Sequence, residues 1–345
     1  MIATNDQIKI IEVAKKDELQ SLLGDTPLQW LKNLGQPTWI SLPGKDQSRS
    51  RAIVTLLHAN EPSGLKALHD FLRSDAIPET NLGIFVASVE AALHAPAFSH
   101  RYFPYEQDLN RCFDPSQDSN QHRLAMRLVR ILHDFAPEAV VDTHNTSGHS
   151  EPFAVVAHNN TAIHQVAQMF TRRLVVIGQP MGTLIEQDIG CPIVTVEFGG
   201  FLDPNADELA KASLAEFITR PQLFSYEPEP MQVLANPLRL QVAEDTRLHY
   251  ATTIYDELAV TMFNTIDQLN FHKLTANTSL GWMPDGQETH LRVLDEQNNN
   301  VANQLFLASE GVLKTRVAMT IFMATTDADI AKHDCLLYLC PEDPL

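Results

Sequence analysis

The stretch Ala52-Ile-Val-Thr-Leu-Leu-His58-Ala-Asn-Glu61 indicates the fold of this chain. Six mostly apolar, β-prone residues lead directly into a histidine and, three residues later, a glutamate. A second stretch has the same form, Ala139-Val-Val-Asp142-Thr-His144. Continuous apolar runs of this length predict strands buried on both faces, as in a mostly parallel sheet. Ligands of open α/β sheets bind at the carboxyl ends of such strands.

A third run of this kind, Pro192-Ile-Val-Thr-Val196, places Glu197 at the end of another predicted strand. Two histidines and one carboxylate are the ligand set of a catalytic zinc ion with one open coordination position. The sequence therefore predicts a zinc ion bound by His58, Glu61 and His144. Glu197 is then a candidate general base for a metal-bound water, because burial raises the pKa of a carboxyl group toward the value that this role needs.

A further carboxylate lies beside one candidate ligand. Asp142 precedes His144 by two residues, so on a strand both side chains point to the same face. A carboxylate there can accept a hydrogen bond from a metal-bound imidazole and orient it. The residues also leave structural alternatives open: Asp142 can cap a strand end, and Glu197 can be the ion-pair partner of a basic side chain.

The long connection over residues 91–118 carries several charged and aromatic side chains, and loops of this length are often functional. Asn110 and Arg111 offer an amide donor and a planar guanidinium fork, a combination that suits the binding of a substrate carboxylate. Arg101 can polarise a scissile carbonyl and stabilise its oxyanion. The alternative for Arg101 is an ordinary solvated arginine of a loop.

Composition excludes some classes of partner. The formal net charge of −18 disfavours general attraction to nucleic acid or to an anionic membrane. No run approaches the roughly 18 apolar residues of a membrane span, and the first residues lack the basic-then-apolar pattern of a signal peptide. The four cysteines show no C-x-x-C spacing, which favours reduced thiols. We therefore expect a cytoplasmic protein.

The alternation of predicted strands and helices indicates a three-layer α/β domain over residues 1–229. Prolines become frequent near residue 230, and short strands separated by turns follow, which predicts a smaller β-rich domain over residues 230–345. In the first part, leucines at helical spacing predict a helix within residues 9–33. In the second part we expect strands at residues 238–242, 290–294 and 317–322.

Taken together, these motifs resemble the succinylglutamate desuccinylase/aspartoacylase family, a branch of the zinc carboxypeptidase-like fold. The resemblance covers residues 60 to 200 approximately and runs through His58-Ala-Asn-Glu61, Asp108-Leu-Asn-Arg111, Asp142-Thr-His144-Asn-Thr and Val196-Glu197-Phe-Gly. It implies a zinc carboxypeptidase-like domain with a mixed, mostly parallel sheet, one Zn²⁺ per chain and a β-rich carboxy-terminal domain.

The resemblance also implies roles for the site residues. His58, Glu61 and His144 would bind zinc, and Glu197 would be the general base that later hands its proton to the leaving amine. The carboxylate of a small-molecule substrate would be held by Asn110 and Arg111. Arg101 would assist the scissile carbonyl.

The reaction that the resemblance implies is hydrolysis of the amide bond of an N-acyl amino acid. Aspartoacylases carry a substrate-binding arginine about ten residues before the catalytic glutamate. Here Val175–Val196 contains neither arginine nor lysine, and Gln187 stands near that place, which leaves the acyl group open. Two alternatives remain: a metallocarboxypeptidase acting on a short peptide, and a non-catalytic relative that binds zinc or a carboxylate. A homo-oligomer is compatible with the sequence.

Overall fold

The computed structural model describes residues 8–116, 118–243, 245–255, 260–333 and 335–343. The chain divides into two compact units. The larger unit contains the chain up to Asn145 and Pro152–Val233, and the smaller unit contains Thr146–Glu151 and the chain from Leu234 onward. None of the described helices combines the length and the apolar character that a membrane-crossing segment requires.

A mixed sheet forms the centre of the larger unit. Its strands are β1 (Lys9–Glu12), β2 (Thr38–Leu42), β3 (Asp46–Thr55), β4 (Thr80–Val86), β5 (Val140–Thr146), β6 (Phe153–Val156), β7 (Arg173–Val176), β8 (Ile193–Gly200) and β9 (Gln232–Ala235). Their spatial order is β1-β2-β4-β3-β5-β8-β6-β7-β9. β3 pairs in parallel with both β4 and β5, whereas β2 is antiparallel to β4 and β6 is antiparallel to β8.

Helices cover both faces of this sheet. They are α1 (Gln20–Leu23), α2 (Pro27–Leu34), α3 (Ser63–Arg73), α4 (Val89–Leu93), α5 (Asn120–Phe135), α6 (Thr161–Ala167) and α7 (Pro204–Thr219), with 3-10 helices at Lys16–Leu19, Leu109–Arg111 and Leu184–Glu186. On β3, Ile53 packs in the apolar cluster that contains α3 and α7, whereas Val54 packs in the cluster that contains α5. Successive strand residues thus face opposite helical layers. The predicted three-layer α/β fold is confirmed.

The predicted helix within residues 9–33 is wrong at its start. Lys9–Glu12 is instead the edge strand β1, which pairs in parallel with β2. The helical part that follows is interrupted at Gly24, whose φ of 61° ends α1. Thr26 then caps α2 by accepting a hydrogen bond from the backbone N–H of Gln29, and Pro27 starts that helix. Leucine spacing alone does not detect this interruption.

The smaller unit is rich in β-structure, as predicted. Its strands are β10 (Leu238–Val242), β11 (Leu248–Ala251), β12 (Val260–Phe263), β13 (Lys273–Leu274), β14 (Ser279–Trp282), β15 (Leu291–Val293), β16 (Phe306–Ser309), β17 (Val312–Thr315), β18 (Met319–Phe322) and β19 (Leu337–Pro341). Short helices are α8 (Ala302–Leu305), α9 (Ala328–His333) and two 3-10 turns at Ile266–Leu269 and Glu288–His290. Two five-stranded sheets result, ordered β13-β18-β19-β10-β15 and β11-β12-β14-β17-β16. The strands expected near residues 240, 292 and 320 are confirmed as β10, β15 and β18.

Candidate active site

Three neighbouring strands of the large sheet carry the candidate site. β3, β5 and β8 are adjacent in the sheet order. Beyond the end of β3, Leu56 has a φ of 57°, an uncommon value for a residue other than glycine, so the chain turns there. The turn leads into His58 and Glu61, while His144 lies on β5 and Glu197 on β8.

The three predicted zinc ligands lie together. Nδ1 of His58 is 3.0 Å from Oε1 of Glu61, and Nδ1 of His144 is 2.7 Å from Oε2 of the same carboxylate. The two Nδ1 atoms are 3.0 Å apart. One ligand atom from each residue lies within 4.8 Å of the others, and all three side chains are buried. The donor atoms therefore converge on one point.

Each histidine is oriented by a carboxylate behind it. Nε2 of His144 donates to Oδ2 of Asp142 over 2.9 Å, so Asp142 lies directly beside the imidazole of a candidate ligand. Thr195 Oγ1, on β8, donates to the same oxygen over 2.9 Å. Nε2 of His58 donates to Oδ1 of Asp108 over 3.0 Å. In a neutral imidazole this leaves Nδ1 with a lone pair, the tautomer that can bind a metal ion, whereas a protonated ring donates from Nδ1 to Glu61 as well.

Two lone pairs that face each other at 3.0 Å repel unless a cation or a proton lies between them. Two nitrogens bound to a tetrahedral zinc ion at about 2.0–2.1 Å lie roughly 3.3 Å apart, close to the distance between the Nδ1 atoms of His58 and His144. The donor set of two imidazoles and one carboxylate is also one that zinc accepts. The geometry therefore fits a divalent ion of this kind.

The charges around the cluster also favour a cation at its centre. Burial by itself raises the pKa of Glu61, but positive charge on His58 and then on His144 outweighs it, so the pKa falls well below its usual range. For His144, burial lowers the pKa, yet Asp142 and Glu61 together raise it well above its usual value. The pocket thus stabilises positive charge at its centre. Carboxylates of Glu61, Asp108 and Asp142 surround that centre, and buried negative charge of this kind is costly without a cation.

Glu197 presents a carboxylate atom with no hydrogen bond to it. Its Oε2 is buried and lacks a hydrogen-bond partner among the described residues. Burial is the main cause that raises the pKa of Glu197, to about 7; His144 opposes the shift and Glu61 adds to it. A carboxylate with this pKa and a free oxygen is equipped to take and release a proton near neutral pH.

Arg101 contacts the cluster from its rim. Its Nε and Nη2 each lie 3.2 Å from Oδ2 of Asp108, and its Nη1 lies 3.3 Å from Oε1 of Glu61. The side chain is 39% exposed, so it lies between the buried carboxylates and solvent. Arg101 is therefore not the isolated solvated arginine of the alternative interpretation.

Asn110 and Arg111 are joined to the cluster through Asp108. Oδ1 of Asp108, which accepts from His58, also accepts from the backbone N–H of Asn110 over 2.9 Å and so caps the short helix Leu109–Arg111. The Asn110 side-chain oxygen accepts from the backbone N–H of Leu184 over 3.1 Å, which leaves its NH₂ group as donor. Nη1 of Arg111 donates to the carbonyl of Asn110 over 2.7 Å.

Gln187 has a structural partner. Its Nε2 donates to the carbonyl of Phe113 over 3.0 Å. The side chain near the place of the aspartoacylase arginine therefore secures the backbone of the connection after Arg111.

Asp108 and Thr195 were not singled out in the sequence for the roles that they have here. Asp108 stands in the same motif as Asn110, and its place just before a predicted substrate clamp was the available signal. The sequence signal for Thr195 was weaker: Thr195 precedes Glu197 by two residues, so on a strand its side chain points to the same face as the candidate base.

Replacement of Asp108 by asparagine keeps the size of the side chain and removes the charge that orients His58. We expect Asp108→Asn to weaken zinc affinity about 10- to 100-fold, the usual effect of losing a partner that orients a ligand. Competition with a chromogenic chelator measures this. Asp114→Asn is the matched control in the same connection, because the hydrogen bond that Asp114 accepts among the described residues is local, from the N–H of Ser116. Equal zinc affinity in both variants would contradict the orienting role.

Comparison with known proteins adds a family context. The model of the succinylglutamate desuccinylase/aspartoacylase catalytic domain matches residues 47–219, which include every residue described above at this site. A search of curated protein sequences finds no match.

Solved structures show a similar fold. The succinylglutamate desuccinylase of Vibrio cholerae is 15% identical, with 93% of this chain and 96% of that chain covered and a TM-score of 0.54. A succinylglutamate desuccinylase/aspartoacylase from Rhodobacter sphaeroides is 15% identical, with 83% of each chain covered and a TM-score of 0.52. The product-bound ectoine utilization protein EutE (DoeB) from Ruegeria pomeroyi is 16% identical, with coverages of 82% and 81% and a TM-score of 0.50. At these identities the similarity establishes the fold.

Proposed function

Since the chain belongs to the succinylglutamate desuccinylase/aspartoacylase family, we propose that it is a zinc-dependent hydrolase that cleaves the amide bond of an N-acyl amino acid. One Zn²⁺ per chain would be held by His58, Glu61 and His144. The observation that carries this proposal is the buried convergence of two Nδ1 atoms and one carboxylate. We assign the chemistry to the domain predicted over residues 1–229.

The proposed reaction needs a base, an acid and a polarised carbonyl. Zinc, when bound, supplies a Lewis acid that acidifies a water molecule and polarises the scissile carbonyl. Glu197 accepts a proton from the attacking water at Oε2 and then delivers it to the leaving nitrogen. A carbon–oxygen bond forms and the carbon–nitrogen bond breaks, so the products are a carboxylate and a free amine.

The long connection over residues 91–118 would bind the substrate. We propose that the Asn110 amide and the Arg111 guanidinium hold the carboxylate of the amino acid, because a fork of N–H donors matches a carboxylate in shape and charge. In a chain of net charge −18, such a local positive group is needed for an anionic substrate. We propose that Arg101 assists the carbonyl, from its position beside Glu61.

Two features bear on the choice of substrate. The amide of Gln187 bonds to the backbone, and the segment before Glu197 offers no arginine, so we propose a substrate with a carboxylate on the amino acid and none on the acyl group. The product-bound relative from Ruegeria pomeroyi supports a small molecule as ligand.

Metal analysis combined with an amine-release assay tests the proposal. We expect one zinc per chain and release of a free amino acid from some members of an N-acyl-amino-acid panel. Short peptides with a free carboxy terminus form the comparison set, and faster hydrolysis of these would favour a metallocarboxypeptidase. Zinc binding with ligand-induced stabilisation but no turnover on either set would point to a non-catalytic relative. A protein without bound zinc would overturn the proposal.

A further inference from the structure

Asn145 follows the candidate ligand His144 directly and is buried, with 3% of its surface exposed. Its backbone N–H donates to Oε2 of Glu61 over 3.2 Å. Oε2 is the same oxygen that lies 2.7 Å from Nδ1 of His144. The peptide group of Asn145 therefore helps to aim the carboxylate of Glu61 at the centre of the cluster.

The side chain of Asn145 joins two separate segments of the chain. Its Oδ1 accepts from the backbone N–H of Ser63 over 3.1 Å, and its Nδ2 donates both to Oγ of Ser63 over 2.9 Å and to the carbonyl of Gly199 over 3.0 Å. Ser63 follows Glu61 by two residues, and Gly199 follows Glu197 by two residues. One amide thus spans the segment that carries a candidate zinc ligand and the strand that carries the candidate base.

The Ser63 end of this link is itself held firmly. Oγ of Ser63 donates to Oδ1 of Asp207 over 2.6 Å, and Nζ of Lys66 binds the other oxygen of that carboxylate at 2.7 Å. A methyl group at Gly64 would lie 2.1 Å from Oγ1 of Thr143, so the start of α3 packs directly against β5. A displacement of the Asn145 side chain should therefore also displace the segment that carries Glu61.

Only an amide fulfils this set of contacts. Asparagine offers one oxygen acceptor and two N–H donors in a plane, and here all three functions are used. Aspartate has the same shape but no donor, so it would leave the buried carbonyl of Gly199 without its partner. It would also bring negative charge next to Glu61.

We propose that Asn145 is a positioning residue that fixes the carboxylate of Glu61 relative to that of Glu197. This inference rests on the proposed function, because it assumes that Glu61 binds the ion and Glu197 moves the proton. It assigns to Asn145 a role in the chemical step that is separate from its contribution to stability.

Two variants and a control test this. In Asn145→Asp and Asn145→Ala we expect zinc affinity to weaken about 10-fold and kcat per bound zinc to fall about 10- to 100-fold. The KM should change little, because neither substitution touches the residues proposed to bind substrate. Thr171→Val is the control outside the cluster: Thr171 is buried, and its hydroxyl donates to the carbonyl of Pro152 over 2.7 Å. That control should lower the melting temperature and leave both zinc affinity and kcat as in the wild type.

The outcomes separate the inference from the proposed function. Zinc affinity comes from chelator competition without substrate, and kcat is measured with zinc in excess. A fall in either quantity beyond that of the control supports the positioning role. Variants that lose only thermal stability, with both quantities unchanged, overturn it while the proposed function stands. A wild-type protein without bound zinc overturns the proposed function and this inference with it. If Asn145→Ala does not fold, Asn145→Asp, which has the same size, decides the question.

Discussion

Exchange of Glu197 for glutamine is expected to lower kcat/KM for N-acyl amino acids by about 10²- to 10⁴-fold, the usual contribution of a general base. The physical reason is that Oε2 of Glu197 is buried, has no partner among the described residues, and belongs to a group whose pKa burial raises to about 7. Glutamine has the same shape but accepts no proton at this position. The protein should still contain one zinc per chain, because Glu197 is not among the three converging donors.

The same group sets the sign of the pH dependence. The base must be ionised, so the rate of the wild-type enzyme should fall as the pH drops through the pKa of Glu197. A bound dication stabilises the carboxylate and moves this fall to a pH below 7. The residual rate of Glu197→Gln should not show this acidic limb.

Glu216→Gln serves as the control for the Glu197 substitution. Glu216 is exposed on α7 and, within the part of the chain that the structure describes, pairs with Arg220, four residues away, so its charge should not affect the rate. A Glu197→Gln protein that is properly folded, contains zinc and retains wild-type kcat/KM would remove Glu197 from the reaction.

Substitution of His144 by alanine is expected to abolish stoichiometric zinc binding. It removes one of three donors, leaves the buried carboxylate of Asp142 without its imidazole partner, and leaves Glu61 with the imidazole of His58 alone. The loss of affinity should exceed the 10- to 100-fold range typical of a partner that only orients a ligand. Atomic absorption after dialysis measures the metal content, and hydrolysis should disappear with the metal.

A thermal shift gives an independent measure of the His144 substitution. Free zinc at about 100 times the dissociation constant stabilises a folded protein by about 2.7 kcal/mol, and this zinc-dependent rise in melting temperature should be absent from His144→Ala. His133→Ala is the control, since the His133 side chain is 74% exposed on α5. If His144→Ala keeps a full zinc complement, the proposed ligand set is wrong.

Some of the molecule was predictable because its information is local. The apolar run before His58 forms β3, and the run before His144 forms β5, because a strand buried on both faces needs nothing but apolar residues in sequence. The convergence of His58, Glu61 and His144 followed from the rule that strand ends of such sheets meet at one edge. The strand β10 in the smaller unit was located to the residue because its sequence alternates apolar and polar side chains between turns.

Other features depend on partners that the sequence does not place. Lys9–Glu12 is a strand because β2 pairs alongside it, and the residues of this short segment do not by themselves predict that pairing. Asp108 orients His58 across 50 residues of chain, and Asn145 reaches Gly199 across 54. Which carboxylate or carbonyl a side chain meets is decided by packing, so motif spacing indicated the residue types at the site but not the bonds between them.

The spread of the site along the chain has a consequence for biosynthesis. The atoms that meet at Nδ1 of His144 come from His58 and Glu61, 86 and 83 residues earlier in the chain, and the candidate base arrives only with β8. Contacts between distant residues form late, because loop-closure entropy must be overcome first. A nascent polypeptide halted before residue 144 lacks one of the donors altogether. We therefore expect the proposed zinc ion to bind with full affinity only after the central strands have assembled, so that zinc uptake would mark completion of the domain.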